Sequence, residues 1–166
     1  MLSLAVSWLT GGHFMKILSN QPEKREILTR LEKIKHDSKR QWGKMTPHQM
    51  LCHLNDSFKA VIGEKQVNLK VNIFGKTLVK WIALYLPLPW VKGVKTMPEL
   101  DQQKGGTPPK EFDKDLKELK LFVDRLTKEK KDFIWKQHPI FGEMSEEEWL
   151  RWAYLHIDHH LRQFGE

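Results

Sequence analysis

The chain has 166 residues, 40% hydrophobic and 30% charged, with a formal net charge of +7. That is a globular mix rather than a membrane-spanning one, since no apolar run reaches the ~18 residues of a spanning helix. One cysteine, Cys52, excludes an intrachain disulfide and favours a reducing, cytoplasmic setting.

The basic balance permits nucleic acid, an anionic membrane surface or an acidic small molecule as partner, and selects none of them. Much of the lysine excess lies between Lys110 and Lys136, interleaved with Glu and Asp, which reads as a solvated helix face. No basic motif interleaved with aromatics and no helix-turn-helix pattern is present, so no nucleic acid is expected.

The first fourteen residues, MLSLAVSWLTGGHF, are apolar but lack the basic start and small-residue cleavage site of a signal peptide. Met15-Lys16 is a natural start. Residues 1–14 therefore read as an N-terminal extension, disordered or translated from an upstream start codon, ahead of a single domain over 15–166.

Asn20 can cap a first helix with Pro22 in its first turn, and Ile27, Leu31 and Ile34 mark its apolar face. Residues 36–44 are polar and read as a loop, with Trp42 as a lid or core plug. Thr46-Pro47-His48-Gln49 is a strong start for a second helix, because Thr46 and Gln49 form a capping box around Pro47. Gly63 can end it. His53 lies on the apolar face of that helix. Asp56, one turn on, can orient a ring or simply be exposed, and Cys52 reads as packing.

Between Val71 and Val94 the chain is very apolar. Ile73, Leu78, Ile82 and Leu86 suggest one helix, broken at Leu86-Pro87-Leu88-Pro89. This hydrophobic insertion is extra core, a cover over a pocket, or an interfacial surface patch. Residues 95–109 form a connection rich in Gly and Pro. Phe112, Leu116, Leu119, Val123 and Leu126 alternate steps of four and three, a bundle seam on a third long helix. His138-Pro139-Ile140-Phe141-Gly142 turns the chain into the last one.

Ser145 and Glu148 form the capping box of that last helix. His156 and His160 stand one turn apart on it and share a face. Two imidazoles so spaced can bind one divalent metal, as in H-E-x-x-H helices, although Ile157 stands where that motif has its glutamate. With eight histidines in the chain, such a pair also arises by chance. A buried helix with two hydrogen-bonded histidines is the alternative. His53 is the obvious third imidazole. His159 can shuttle protons, replace a ligand or pack against another helix. Trp149, Trp152, Trp81 and Trp90 are candidate cavity walls, with core as the default for each. Strand signals are weak throughout, so the expected fold is all-α: four main helices and one hydrophobic helical insertion.

The order W-G-K-M-T-P-H-Q-M-L-x-H-L at 42–54, H-P-I-F-G-E-M-S-E-E-E-W at 138–149 and H-x-x-H-H-L-R-Q-F-G at 156–165 resembles the DinB-like superfamily. It is most similar to a branch catalogued as a domain of unknown function. The likeness covers most of Met15 to Gly165. It implies a four-helix bundle that binds a divalent metal, zinc or nickel, through His53, His156 and His160. It also implies that Gln163 matches the glutamine of the family's H-x-x-Q ending. Some members of that superfamily transfer low-molecular-weight thiols and others are labelled metal-dependent hydrolases. The expected reading is a metal-dependent enzyme acting on a small molecule, by thiol transfer or hydrolysis. A metal-binding or stress protein without turnover is the alternative, nucleic-acid binding comes last, and a homodimer is compatible with the sequence. Three imidazoles leave a coordination position open, as catalytic sites do.

Overall fold

The structure, a computed structural model, describes residues 15–70 and 72–166. The expectation for residues 1–14 lies outside them. Among the described residues the chain is all-α. Four main helices form a bundle: α1 (Gln21–Lys33), α2 (Pro47–Ile62), α4 (Phe112–Thr127) and α5 (Glu146–Gln163). A short α3 (Lys80–Tyr85) lies in the apolar insertion and continues a π-type turn over Gly75–Val79. The only pairing of strand type among the described residues is an isolated bridge between His138 and Gly142.

All four long helices carry an apolar stripe, and two of them, α2 and α5, also start at a capping box. At the start of α2, Thr46 Oγ1 accepts from the Gln49 backbone N–H at 3.1 Å while Gln49 Oε1 accepts from the Thr46 N–H at 2.9 Å. Ser145 and Glu148 repeat this pattern for α5. Such caps satisfy helix-end N–H groups that have no partner within the helix, and each is worth ~1 kcal/mol. Gly63 ends α2 at φ 85°, left-handed backbone that glycine adopts without steric cost. Asn20 precedes α1 as expected, but its side chain makes no capping hydrogen bond. Pro22 and the burial of Ile27 and Leu31 are what remain to fix that start.

The main packing pairs are α2 with α4 and α1 with α5, and α2 and α5 also touch. Met50, Leu54 and Phe58 from α2, Leu119, Val123 and Leu126 from α4, and Trp149, Ile157 and Leu161 from α5 meet in one core. This juxtaposition carries the buried residue 53 and the buried pair 156/160 to the same side of the α2–α5 contact.

The insertion is helical over 73–85 and ends at Leu86-Pro87. Leu84 alone of its α3 residues is buried. The buried Arg151 guanidinium on α5 donates to the Leu84 carbonyl, and Trp90 Nε1–H donates to the Ala83 carbonyl at 2.8 Å. The insertion is thus docked on α5 by a narrow strip rather than absorbed as extra core.

Candidate metal centre

His53 reaches inward from α2, and His156 and His160 from successive turns of α5; all three are at most 9% exposed. Their ring centres form a nearly equilateral triangle, with sides of 5.2, 4.8 and 5.0 Å. One candidate ligand atom from each ring lies within 4.8 Å of the other two. His53 Nε2 and His156 Nε2 are 3.2 Å apart. An ion ~2.0–2.1 Å from each nitrogen at tetrahedral angles would set nitrogens ~3.3 Å apart and ring centres roughly 5 Å apart. The spacing of these side chains fits such an ion.

Hydrogen bonding decides where the ring protons sit. His53 Nδ1 is 2.9 Å from the carbonyl of Leu100. A carbonyl only accepts, so Nδ1 carries the proton and Nε2 presents a bare lone pair. His160 Nδ1 is 3.0 Å from Gln163 Oε1. The amide orientation of Gln163 is itself set by the 3.0 Å bond from its Nε2 to the Trp42 carbonyl, so His160 also keeps its proton on Nδ1. His156 is the exception, because its Nδ1 is buried without a partner. If its proton sits on Nδ1, a buried donor is orphaned and two Nε2 lone pairs face each other at 3.2 Å. If the proton sits on Nε2, the orphan is an Nδ1 lone pair. Both arrangements leave a buried polar atom unsatisfied, which costs ~1–3 kcal/mol. A cation among the three Nε2 atoms removes the lone-pair clash in the first arrangement.

Burial holds all three rings below the ordinary histidine range, against the pull of the Leu100 carbonyl in the case of His53, and for His156 and His160 neighbouring imidazoles add to burial and hold them well below it. They are neutral at neutral pH, as metal ligands must be.

A second grouping, His48, Cys52 and Asp115, joins α2 and α4. Here the protons point inward. His48 Nε2–H donates to Asp115 Oδ2 at 2.7 Å and the Cys52 thiol donates to the same oxygen at 3.4 Å. The set is satisfied without an ion. Burial, then the Asp115 charge, pushes the Cys52 thiol up to about 12, so it packs rather than reacts.

The histidine triangle opens on a cavity of about 900 Å³, large enough for a small molecule. Trp149, Trp152 and Trp90 line it, as do His159 and Gln163. His159 is half-buried, with Trp42 at 5.9 Å and Trp90 at 6.1 Å between ring centres, and its ring is packed beside His160 at 5.2 Å. Trp81 is not a wall of the cavity. It is 52% exposed, because α3 buries only Leu84 against the bundle. Asp56 is neither exposed nor a ring-orienting group. It is 1% exposed and accepts from Thr107 N–H at 2.7 Å and Thr107 Oγ1 at 2.6 Å, while pairing with Lys65 at 3.3 Å. Its carboxylate fastens the 101–107 connection, which follows directly on Leu100.

The carbonyl that orients His53 therefore comes from the connection, and a backbone atom leaves no trace in residue type. Trp42, read from the sequence as a lid or core plug, lines the cavity, but its carbonyl contact with Gln163 and the role of Gly43 leave no such trace. Gly43 has φ 76°, and a Cβ there would stand 2.5 Å from Gln163 Nε2. Only a glycine lets this loop lie on Gln163. His138, expected as a turn residue, is also a buried wall of the cavity. Its Nδ1 accepts from the Ile140 and Phe141 N–H groups at 3.1 and 3.0 Å.

Neither the comparison with curated proteins nor that with solved structures finds a match. A family model described as a protein of unknown function, DUF1569, matches residues 19–166. That span includes α1 to α5 and every histidine of the triangle, and the chain belongs to this family.

Proposed function

We propose that the protein is a divalent-metal protein of the DinB-like type, with His53, His156 and His160 as ligands and the adjoining cavity as the substrate site. The observation that supports this most directly is the commitment of two ring protons outward, to Leu100 O and Gln163 Oε1. It leaves two Nε2 lone pairs turned into a buried space beside a third ring. Imidazole ligation suits zinc and nickel alike.

Bound there, such an ion supplies Lewis acidity toward the polar group of a small substrate. The chain's own contribution is positional. Leu100 O and Gln163 fix two rings, and Trp90, Trp149 and Trp152 give the cavity apolar walls. His159 lines the same space, and its ring makes no hydrogen bond among the described residues. That surrounding supports reading it as the group that holds or passes a proton. The reactions in keeping with the superfamily are transfer of a low-molecular-weight thiol and hydrolysis. Cys52, turned toward Asp115, is not a nucleophile for either.

Elemental analysis of protein purified without an affinity tag tests the ligand set. His53→Ala, His156→Ala and His160→Ala should each lose most of the bound metal, whereas His48→Ala and His36→Ala should keep it. Metal that survives all three of the first substitutions refutes the assignment. A panel of thiols with an electrophilic test substrate, and of esters, run with and without metal, then separates turnover from binding alone. A null result across the panel favours a metal-binding protein without turnover.

A further inference from the structure

Ten of the fifteen exposed large hydrophobic side chains among the described residues fall between Ile73 and Val94. That concentration in one short segment makes a patch rather than scattered exposure. Phe74 is 70% exposed, Val91 75% and Trp81 52%. Between Glu64 and Glu99 the chain carries six lysines and no Asp or Glu. Lys76, Lys92 and Lys95 make no ion pair among the described residues, while Lys80 is paired with Glu148 at 2.9 Å. The segment is anchored to α5 through the Leu84 carbonyl, which accepts from Arg151, and through Lys80 and Tyr85, which both reach Glu148, so its apolar side chains are presented on a fixed helix.

We propose that this face docks on an anionic lipid surface. Exposed aliphatic side chains, Trp81 and Tyr85 at an interface, and flanking lysines without acids are the composition of a helix that lies in the headgroup region. The lysines complement negative headgroups. A second copy of the chain is a poorer occupant, because pairing this face with itself would set lysine against lysine with no carboxylate in the segment to offset them. Ile82, Leu88 and Val91 also line the cavity beside the histidine triangle. The docking surface therefore borders the cavity. Among the described residues no helix is long and apolar enough to cross a membrane.

Co-sedimentation of the full chain with lipid vesicles tests this without reference to any metal. The chain should sediment with phosphatidylcholine vesicles containing phosphatidylglycerol, should not with phosphatidylcholine alone, and should be released by salt. Lys76→Ala should lower the partition about fivefold, and Phe74→Asp should abolish it. Leu121→Asp, at an exposed apolar position outside the segment, should change nothing. Circular dichroism of each variant should match the unmodified protein. Sedimentation with neither vesicle overturns the proposal, as does equal binding to both that is indifferent to Lys76→Ala. A dimer that Phe74→Asp dissociates, with no vesicle binding, makes the patch a protein interface and overturns it. Sedimentation gained only when residues 1–14 are deleted also overturns it, by making that segment the occupant.

Discussion

Replacing Gln163 by alanine tests how the metal centre is held. Gln163 is 4% exposed. Its amide makes two bonds of 3.0 Å, accepting from His160 Nδ1–H and donating to the Trp42 carbonyl. Alanine leaves the buried Nδ1–H without an acceptor, at a cost of ~1–3 kcal/mol. It also frees the ring to move its proton to Nε2, which removes the lone pair a metal needs. Loss of such an outer hydrogen bond typically lowers metal affinity 10–100-fold. Gln163→Glu separates the two effects. A carboxylate still accepts from Nδ1–H but cannot donate to Trp42 O, so metal affinity should be largely kept while stability falls. Competition against a chelator of known affinity reads the first quantity, and denaturant unfolding of metal-free protein reads the second. If Gln163→Ala binds metal as tightly as the unmodified chain, His160 is not oriented by residue 163 and the reasoning fails.

Gly43→Ala should cost about 1–2 kcal/mol in denaturant unfolding through its φ of 76° alone, and should loosen the metal by displacing Gln163. An unchanged midpoint would contradict the close approach of that loop. Burial lowers His138 from 6.5 to about 3, so as pH falls the unfolded chain takes up this proton before the folded one does. Its contribution is complete above pH 6.5 and is lost as the pH falls toward 3, by about 2 kcal/mol at pH 5 in metal-free protein. The three triangle histidines are shifted in the same direction, so stability that is flat from pH 7 to pH 5 would refute their burial. Cys52 should not react with Ellman's reagent at pH 8 in the native protein and should react fully once unfolded. Rapid native labelling would show that the thiol is not held against Asp115.

The sequence by itself determined the helices. Capping boxes at Thr46 and Ser145, Gly63 at a helix end and the 3–4 spacing of Leu119, Val123 and Leu126 are local signals, acting within a turn or two of the residues that carry them. The sharing of one face by His156 and His160 is likewise local. Tertiary structure decided what faces that pair. The packing of α2 on α5 brings His53 to 3.2 Å from His156 across 103 residues. The connection supplies a backbone carbonyl as its partner, and backbone atoms have no sequence signature. Asp56 shows the same limit from the other side. Its spacing from His53 suggested a ring contact or exposure, yet its partners, Thr107 and Lys65, were fixed by how the connection folds back. Hydropathy marked the insertion, but not which of its side chains are docked. That depended on where Arg151 and α5 offered an anchor, and it left Trp81 in water.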